Sequence, residues 1–239
     1  MTAIPTPRQA ALPPASVPSL VDGDRLTRQE FHRRYEATPE HVRAELVEGI
    51  VYMASPVSFR RHGRHHLRLA MWLGEYVYAT PGVDAGVDST VQLDPDNEPQ
   101  PDVSLLILPA HGGQSIVDGD EDYIVGAPEF AAEVAASSAR RDAHQKREAY
   151  RRNGVREYFI WRTAEAAIDW FVLRDRRYEQ LSPDAAGVVR SETFPGLWLD
   201  VPALLRDDLP AVSAAIKNGI ASPEHAAFVE RLRQQAGKK

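Results

Sequence analysis

Three features of the chain have residue types and spacings that could do chemistry together. Pro101-Asp102 immediately precedes the apolar run VSLLIL (Val103–Leu108), which puts a carboxylate at the entrance of an expected core strand. Glu133 interrupts a second strand-like run, FAAEVAA, and a carboxylate there is costly to bury unless it is paired or binds a cation. Asp142, Lys146 and Tyr150 recur at i, i+4 and i+8, so successive members lie one turn apart on one helix face. The few apolar residues of that helix put its buried stripe near Tyr150. Lys146 then sits beside the interior and needs an acidic partner or an anionic ligand. Glu133 is the nearest candidate in sequence, and Tyr150 reads as packing that orients the lysine.

Asp102, Glu133 and Lys146 together have the makings of a phosphodiester-cleaving site. Mg²⁺ is hard, prefers oxygen ligands and is often held by one or two carboxylates plus water and phosphate. Such an ion polarises a phosphoryl oxygen and lowers the pKa of a bound water. The lysine would position that water or stabilise charge developing on the phosphate. Each residue also has a plainer use. Asp102 suits a turn after proline, Glu133 and Lys146 suit a structural ion pair, and Asp142 with Lys146 suits an ordinary helix pair. Histidines 62 and 66, at i,i+4, invite a zinc reading, but no third ligand stands nearby in the chain. The basic helix start around His62 reads instead as a phosphate contact or a solvated face. Arg140 and Arg141, at the start of the third helix, could meet phosphate with help from that helix terminus.

The elements that must position these groups follow from local signals. Thr27-Arg-Gln-Glu30 is a capping box, with Leu26 and Phe31 as a hydrophobic staple, and opens a first helix ending near Thr38-Pro39. Residues 45–54 (ELVEGIVYMA) read as two short strands around a Glu48-Gly49 turn. A second helix is expected over 64–78, a strand over 87–93, and strands at 103–108 and 130–136. The third helix covers roughly 139–152, with Ser138 as N-cap and Gly154 at C′. Strands at 157–162, 167–173 and 177–181 follow, the last two joined as a hairpin near Asp175-Arg176. FPGLWLDVPALL (Phe194–Leu205) closes the core. The expected layout is a flexible Pro-rich tail (1–24), one α/β domain (25–206) and a helical extension with a weak apolar stripe (207–239).

Composition narrows the class. With 239 residues, 43% hydrophobic and 26% charged, the chain is long enough for a sizeable core. The absence of cysteine excludes disulfides, a thiolate nucleophile and Cys-rich zinc sites. No apolar run is long enough to span a bilayer, and proline interrupts the start, so the expectation is a cytoplasmic location without membrane contact. A net charge of −6 argues against a generic nucleic-acid coat. Yet the charges segregate. Residues 84–102 and 117–133 each hold six acids and no Lys or Arg, whereas 140–156 hold seven Lys/Arg against two acids. An acidic centre flanked by basic segments suits metal ions held beside a polyanion, although solvated faces of opposite sign give the same pattern.

The order ELVEGIVYMASP, a following histidine, QPDVSLL, APEFAAEVAASSARRDAHQKREAYRRNGVREYFIW and FPGLWLDVPALL resembles the Uma2 family, described as restriction endonucleases of PD-(D/E)XK type. The resemblance covers about residues 26–205 and is most specific over Glu129–Trp161. It implies a restriction-endonuclease-like mixed sheet flanked by helices, hydrolysis of DNA phosphodiesters, and Mg²⁺ or Mn²⁺ on Asp102 and Glu133. By this likeness Glu45 is an assisting acid, acting through a water or a neighbouring group, and Lys146 is the catalytic base or charge stabiliser. His62 matches the histidine before the family's second helix. Position 135 is Ala, so a direct E-x-K motif is absent, and EVAASS replaces the family's EVLSPS. A homodimer would suit cleavage of both strands. The rival readings are a nucleic-acid- or protein-binding module that kept the fold without the reaction, and a metal-dependent hydrolase of another phosphate ester.

Overall fold

The computed structural model describes residues 17–39, 41–135 and 140–237, the side chains of 140–143 excepted. Its frame is a six-stranded mixed sheet made of β3 (Val83–Val87), β5 (Val103–Ile107), β8 (Phe130–Ala135), β9 (Glu157–Arg162), β10 (Ala167–Arg174) and β11 (Arg177–Gln180). The spatial order is β11-β10-β9-β8-β5-β3. Only β8 and β9 run parallel, and helix α3 (Arg140–Asn153) lies between them in sequence. The mixed α/β architecture with helices flanking the sheet is the one expected.

Side-chain alternation along the strands decides what each face buries. Phe130, Ala132 and Val134 of β8 and Phe159 and Trp161 of β9 pack with α2 (Arg64–Ala79) in the main core. Ala131 and Ala135, with Tyr158 and Ile160, turn to the other face and pack against Tyr150 of α3. Both faces of β8 are therefore covered, which is why its sequence is a nearly unbroken apolar run. Glu133 falls in the alternation on the α3 face.

The local signals set most boundaries. Thr27 caps α1 (Arg28–Tyr35) by accepting from the Glu30 N–H, but the Glu30 carboxylate pairs with Arg33 and Arg34. Hairpin β1 (Ala44–Val47)–β2 (Ile50–Met53) turns at Glu48-Gly49, both at positive φ, the geometry of a two-residue type I′ turn. Helix α3 ends in a Schellman motif. The Gly154 N–H bonds the Arg151 carbonyl at 3.3 Å and the Val155 N–H bonds that of Tyr150 at 3.0 Å, with Gly154 left-handed. Ser138, the expected N-cap, lies outside the described residues.

Two expectations need correction. The single strand over 87–93 is instead two pieces, because the chain turns at Asp88, whose φ is +50°. Before the turn, β3 is an edge strand of the main sheet. After it, β4 (Val91–Gln92) joins β6 (Ile116–Val117) and β7 (Ile124–Val125) in a small sheet ordered β4-β7-β6. The described part of the N-terminal tail is also tied down. Leu20 is buried with Phe31, Leu46 and Val51, and the Gly23 N–H reaches the Val51 carbonyl at 2.8 Å.

The segment after Asp207 forms two helices, α5 (Leu209–Ile220) and α6 (Pro223–Ala236), behind the short α4 (Val201–Leu205). Val212, Ile216, Phe228 and Leu232 complete the main core beside Leu197 and Leu199. They join the core rather than hang from it as an appendage. Their weak stripe has a cause: part of the docking is backbone against backbone at Gly219. A Cβ there would lie 2.1 Å from the Gly196 carbonyl oxygen, whereas one at Gly74 in α2 would meet nothing within 4 Å. Gly219→Ala should therefore cost about 1–3 kcal/mol by overpacking, and Gly74→Ala should stabilise by roughly 0.5–1 kcal/mol through helix propensity. Denaturant melts of both variants check this. Equal effects would mean that α5 is not seated on the 194–197 turn.

Candidate functional site

The site begins where the sheet parts. Pairing of β5 with β8 covers only Val103–Leu105 against Phe130–Ala132, while β8 continues against β9 through Ala135. Extending the register by one residue sets Asp102 beside Glu133. Beyond that point the β5 strand no longer serves β8, and side chains take over its backbone groups. The Asp102 Oδ2 accepts the Val134 N–H at 2.6 Å, and the Val134 carbonyl accepts from His62 Nδ1 at 3.1 Å. His62 stands on a π-helical turn (Phe59–Gly63) that leads into α2, and its Nε2 lies 3.1 Å from Asp102 Oδ1. One turn later, His66 Nε2 lies 2.8 Å from the Asp102 backbone oxygen.

On the lysine side, α3 and the β1–β2 hairpin meet over the α3 face of β8. Lys146 Nζ is 2.8 Å from Glu45 Oε2 of β1 and 3.0 Å from Glu133 Oε1 of β8, with 8% of its side chain exposed. Glu45 Oε2 also accepts the Gln100 N–H at 3.1 Å, which ties it to the segment entering Asp102. Tyr150 donates its hydroxyl to Glu133 Oε1 at 3.2 Å, so it orients the carboxylate rather than the lysine. Polar contacts bind α3 to this region along its length. Tyr52 donates to Gln145 at 2.5 Å, Arg152 pairs with Glu48 at 2.6 Å, and Asn153 donates to Asp94 at 2.6 Å.

These contacts set the protonation states. Burial works against the Lys146 charge, but Glu133 and Glu45 outweigh it and hold the ammonium above the ordinary lysine range. Burial drives the Glu133 carboxyl well up; Lys146 opposes the rise, and the nearby Asp102 and Glu45 add to it. Burial also pushes on Asp102, yet His62, the Val134 N–H and Lys146 together keep it below the ordinary carboxylate value. The hydrogen bond to Asp102 in turn raises His62, against burial.

Asp102, Glu133, Lys146, Glu45 and His62, each singled out in the sequence, thus meet in one polar cluster at the parting of β5 and β8. The side chains of Arg140 and Arg141 lie outside the described residues. His66 belongs to the cluster as well. Its pairing with His62 lacks a third ligand only along the chain, since Asp102 arrives from the sheet. One ligand atom from each of His62, His66 and Asp102 fits within 4.8 Å of the others.

Replacing Lys146 leaves two carboxylates without their cation. Lys146→Met should destabilise by about 3–5 kcal/mol, the cost of breaking a buried pair from one side, and adding Glu133→Gln should restore part of it. The pH dependence has a definite sign. A carboxyl raised in the folded state binds more protons there than in the unfolded chain, so stability falls as pH rises above its unfolded value of 4.5. The fall should be steeper in Lys146→Met than in wild type and should largely vanish with Glu133→Gln. Urea melts between pH 5 and 9 measure it, and an unchanged slope would refute the coupling.

The chain is similar in fold to a solved structure described as a "putative nuclease belonging to DUF820", from Anabaena variabilis ATCC 29413, with a TM-score of 0.54 and 15% identity over 73% of this chain and 96% of that one. At that identity the likeness is one of fold alone. No curated protein matches. Residues 28–202 match the profile of a family, Uma2, whose description is "Putative restriction endonuclease". The matched span runs from α1 into α4 and takes in Glu45, His62, Asp102, Glu133 and Lys146, and on that match the chain belongs to the Uma2 family.

Proposed function

We propose that the protein is a metal-dependent endonuclease that hydrolyses phosphodiester bonds of DNA, with Asp102 and Glu133 holding Mg²⁺ or Mn²⁺. The observation that carries this reading is the surplus of carboxylates. Glu133 and Glu45 share a single buried ammonium and Asp102 lies near enough to feel its charge, while burial, with Asp102 and Glu45 adding to it, raises Glu133 against the pull of Lys146. Hard carboxylate donors in excess of their cation fit a hard divalent ion. When bound, such an ion polarises a phosphoryl oxygen and lowers the pKa of water.

The remaining roles follow from the side chains. Lys146 is protonated at neutral pH, so it stabilises charge on the phosphate rather than taking a proton from water. Glu45 and Tyr150 fix Lys146 and Glu133 in place. His62, a donor at both ring nitrogens when protonated, anchors Asp102 to the β8 backbone. Water adds across the ester: its oxygen bonds to phosphorus, and the bridging oxygen leaves and takes up a proton. Residues 25–206 would carry this chemistry, and two copies would serve a duplex. Among the described residues no helix is long and apolar enough to cross a membrane, and a cytoplasmic setting suits a DNA substrate.

The rival, a binding module without catalysis, has one observation in its favour. Asp102 and Glu133 are already hydrogen-bonded by protein groups. The two readings part in a metal experiment. An ion at a hundred times its Kd adds about 2.7 kcal/mol of stability, so Mn²⁺ should raise the Tm of wild type and not of Asp102→Asn. With Mn²⁺ or Mg²⁺, wild type should nick and linearise plasmid DNA, and Asp102→Asn and Lys146→Met should fall to background. No shift and no cleavage with millimolar Mn²⁺ and DNA together would favour the binding module.

A further inference from the structure

We infer that His62, His66 and Asp102 form a binding site for a divalent transition-metal ion, selecting Zn²⁺, Co²⁺ or Ni²⁺ over Mg²⁺. The inference rests on Asp102 being a metal-holding acid and adds two nitrogen ligands that the oxygen-only reading lacks. Ligand atoms of the three residues gather within 4.8 Å of one another. The 3.1 Å between His62 Nε2 and Asp102 Oδ1, spanned here by a hydrogen bond, also suits two ligands of one ion that displaces the Nε2 proton, because bonds of about 2.0–2.2 Å at tetrahedral or octahedral angles set neighbouring ligands roughly 3–3.5 Å apart.

The support behind the ligands is the second observation. A carbonyl oxygen only accepts, so the Val134 carbonyl fixes a proton on His62 Nδ1 and turns Nε2 toward Asp102. A metal-binding histidine commonly has its other nitrogen tied in this way to a carbonyl or carboxylate, which fixes the tautomer and the ring plane. Asp102 is held likewise, its Oδ2 by the Val134 N–H, with Oδ1 turned to His62. The same strand residue thus orients two of the three ligands. His66 follows one turn after His62 on the same helical stretch; its Nε2 donates to the Asp102 carbonyl at 2.8 Å, which fixes its tautomer in the same way and leaves Nδ1 as the nitrogen open to an ion.

The donor set decides the ion. Imidazole suits Zn²⁺, Co²⁺, Ni²⁺ and Cu²⁺, whereas Mg²⁺ keeps to oxygen and water. Three protein ligands leave coordination positions for water or a phosphate oxygen, as in catalytic rather than closed structural sites.

The test is Co²⁺ binding to the full metal-free chain, read by visible d–d absorption and by calorimetry without DNA. Wild type should bind one Co²⁺ with ligand-field bands of mixed nitrogen and oxygen donors, and a hundredfold excess of Mg²⁺ should not displace it. His66→Ala should weaken binding at least tenfold. His66→Asn, which keeps an N–H donor near the Asp102 carbonyl and loses the imidazole, should behave the same, with melting curves verifying that both fold. Unchanged Co²⁺ affinity in the two variants, or displacement by equimolar Mg²⁺, overturns the site. Plasmid cleavage by wild type, run in parallel, separates the two readings. Mg²⁺-supported cleavage with no Co²⁺ binding leaves the nuclease standing and refutes this site. Co²⁺ binding lost on His66 substitution, with no cleavage by any ion, supports the site and refutes the nuclease.

Discussion

A buried ammonium is stable only where carboxylates meet it, and that condition on Lys146 joins three distant parts of the chain. The lysine comes from α3, Glu133 from β8 and Glu45 from β1, and none of the three can move without leaving a charge uncompensated in the interior. The hairpin, which shares little apolar surface with the main sheet, is placed by this demand as much as by packing. Tyr52, Glu48 and Asp94 reinforce the same docking with contacts to Gln145, Arg152 and Asn153.

Two other buried acids show what a purely structural carboxylate looks like in this protein. Glu157 accepts from Trp170, Ser191 and the N–H groups of Glu192 and Thr193. Glu129 accepts the N–H groups of Ile107 and Gln114. Both are surrounded by neutral donors that satisfy their lone pairs, and neither shares its place with another acid. Glu133 has acidic neighbours and a cation instead. Neutral donors fix loops in the first two cases, whereas unbalanced charge gathers in the third. Burial of a carboxylate is therefore not itself the mark of chemistry here; the company it keeps is.

How much of this could be read from the chain depends on the distance over which each signal acts. The Lys146–Tyr150 spacing, the Thr27 cap, the Glu48-Gly49 turn and the Gly154 stop are local, and the structure follows them. The strand after α2 leaves little trace in the sequence because its apolar residues do not alternate: VDAGV is a largely exposed edge, and the positive φ of Asp88 turns the chain from it toward β4. The docking of the C-terminal helices is hidden from the sequence because Gly219 seats α5 by having no side chain, which no hydrophobic pattern registers. Within the site, Glu133 and Lys146 were visible as misfits in their own elements. The company of Asp102 was not, since His66 is thirty-six positions away and meets it only through the sheet.

The parting of β5 from β8 explains why so many polar groups collect at one point. A strand that loses its neighbour exposes N–H and C=O groups that must find other partners, at a cost of about 1–3 kcal/mol each if they do not. At Val134 the partners are Asp102 and His62, so the backbone of β8 selects a carboxylate for its N–H and an imidazole for its C=O. Those two side chains are then held together by the N–H and C=O of one residue, which point to the same side of an extended strand. Glu133, the adjacent residue, points to the opposite face by the alternation of the strand and finds Lys146 there. A single break in pairing thus brings an acid with two histidines beside an acid with a lysine, since Asp102, opposite Glu133 in the extended register, lies close enough to act on it. Asp102 and His62 satisfy the broken edge and Lys146 satisfies the acids beside it, so the cluster is held by the protein's own groups before any ligand arrives.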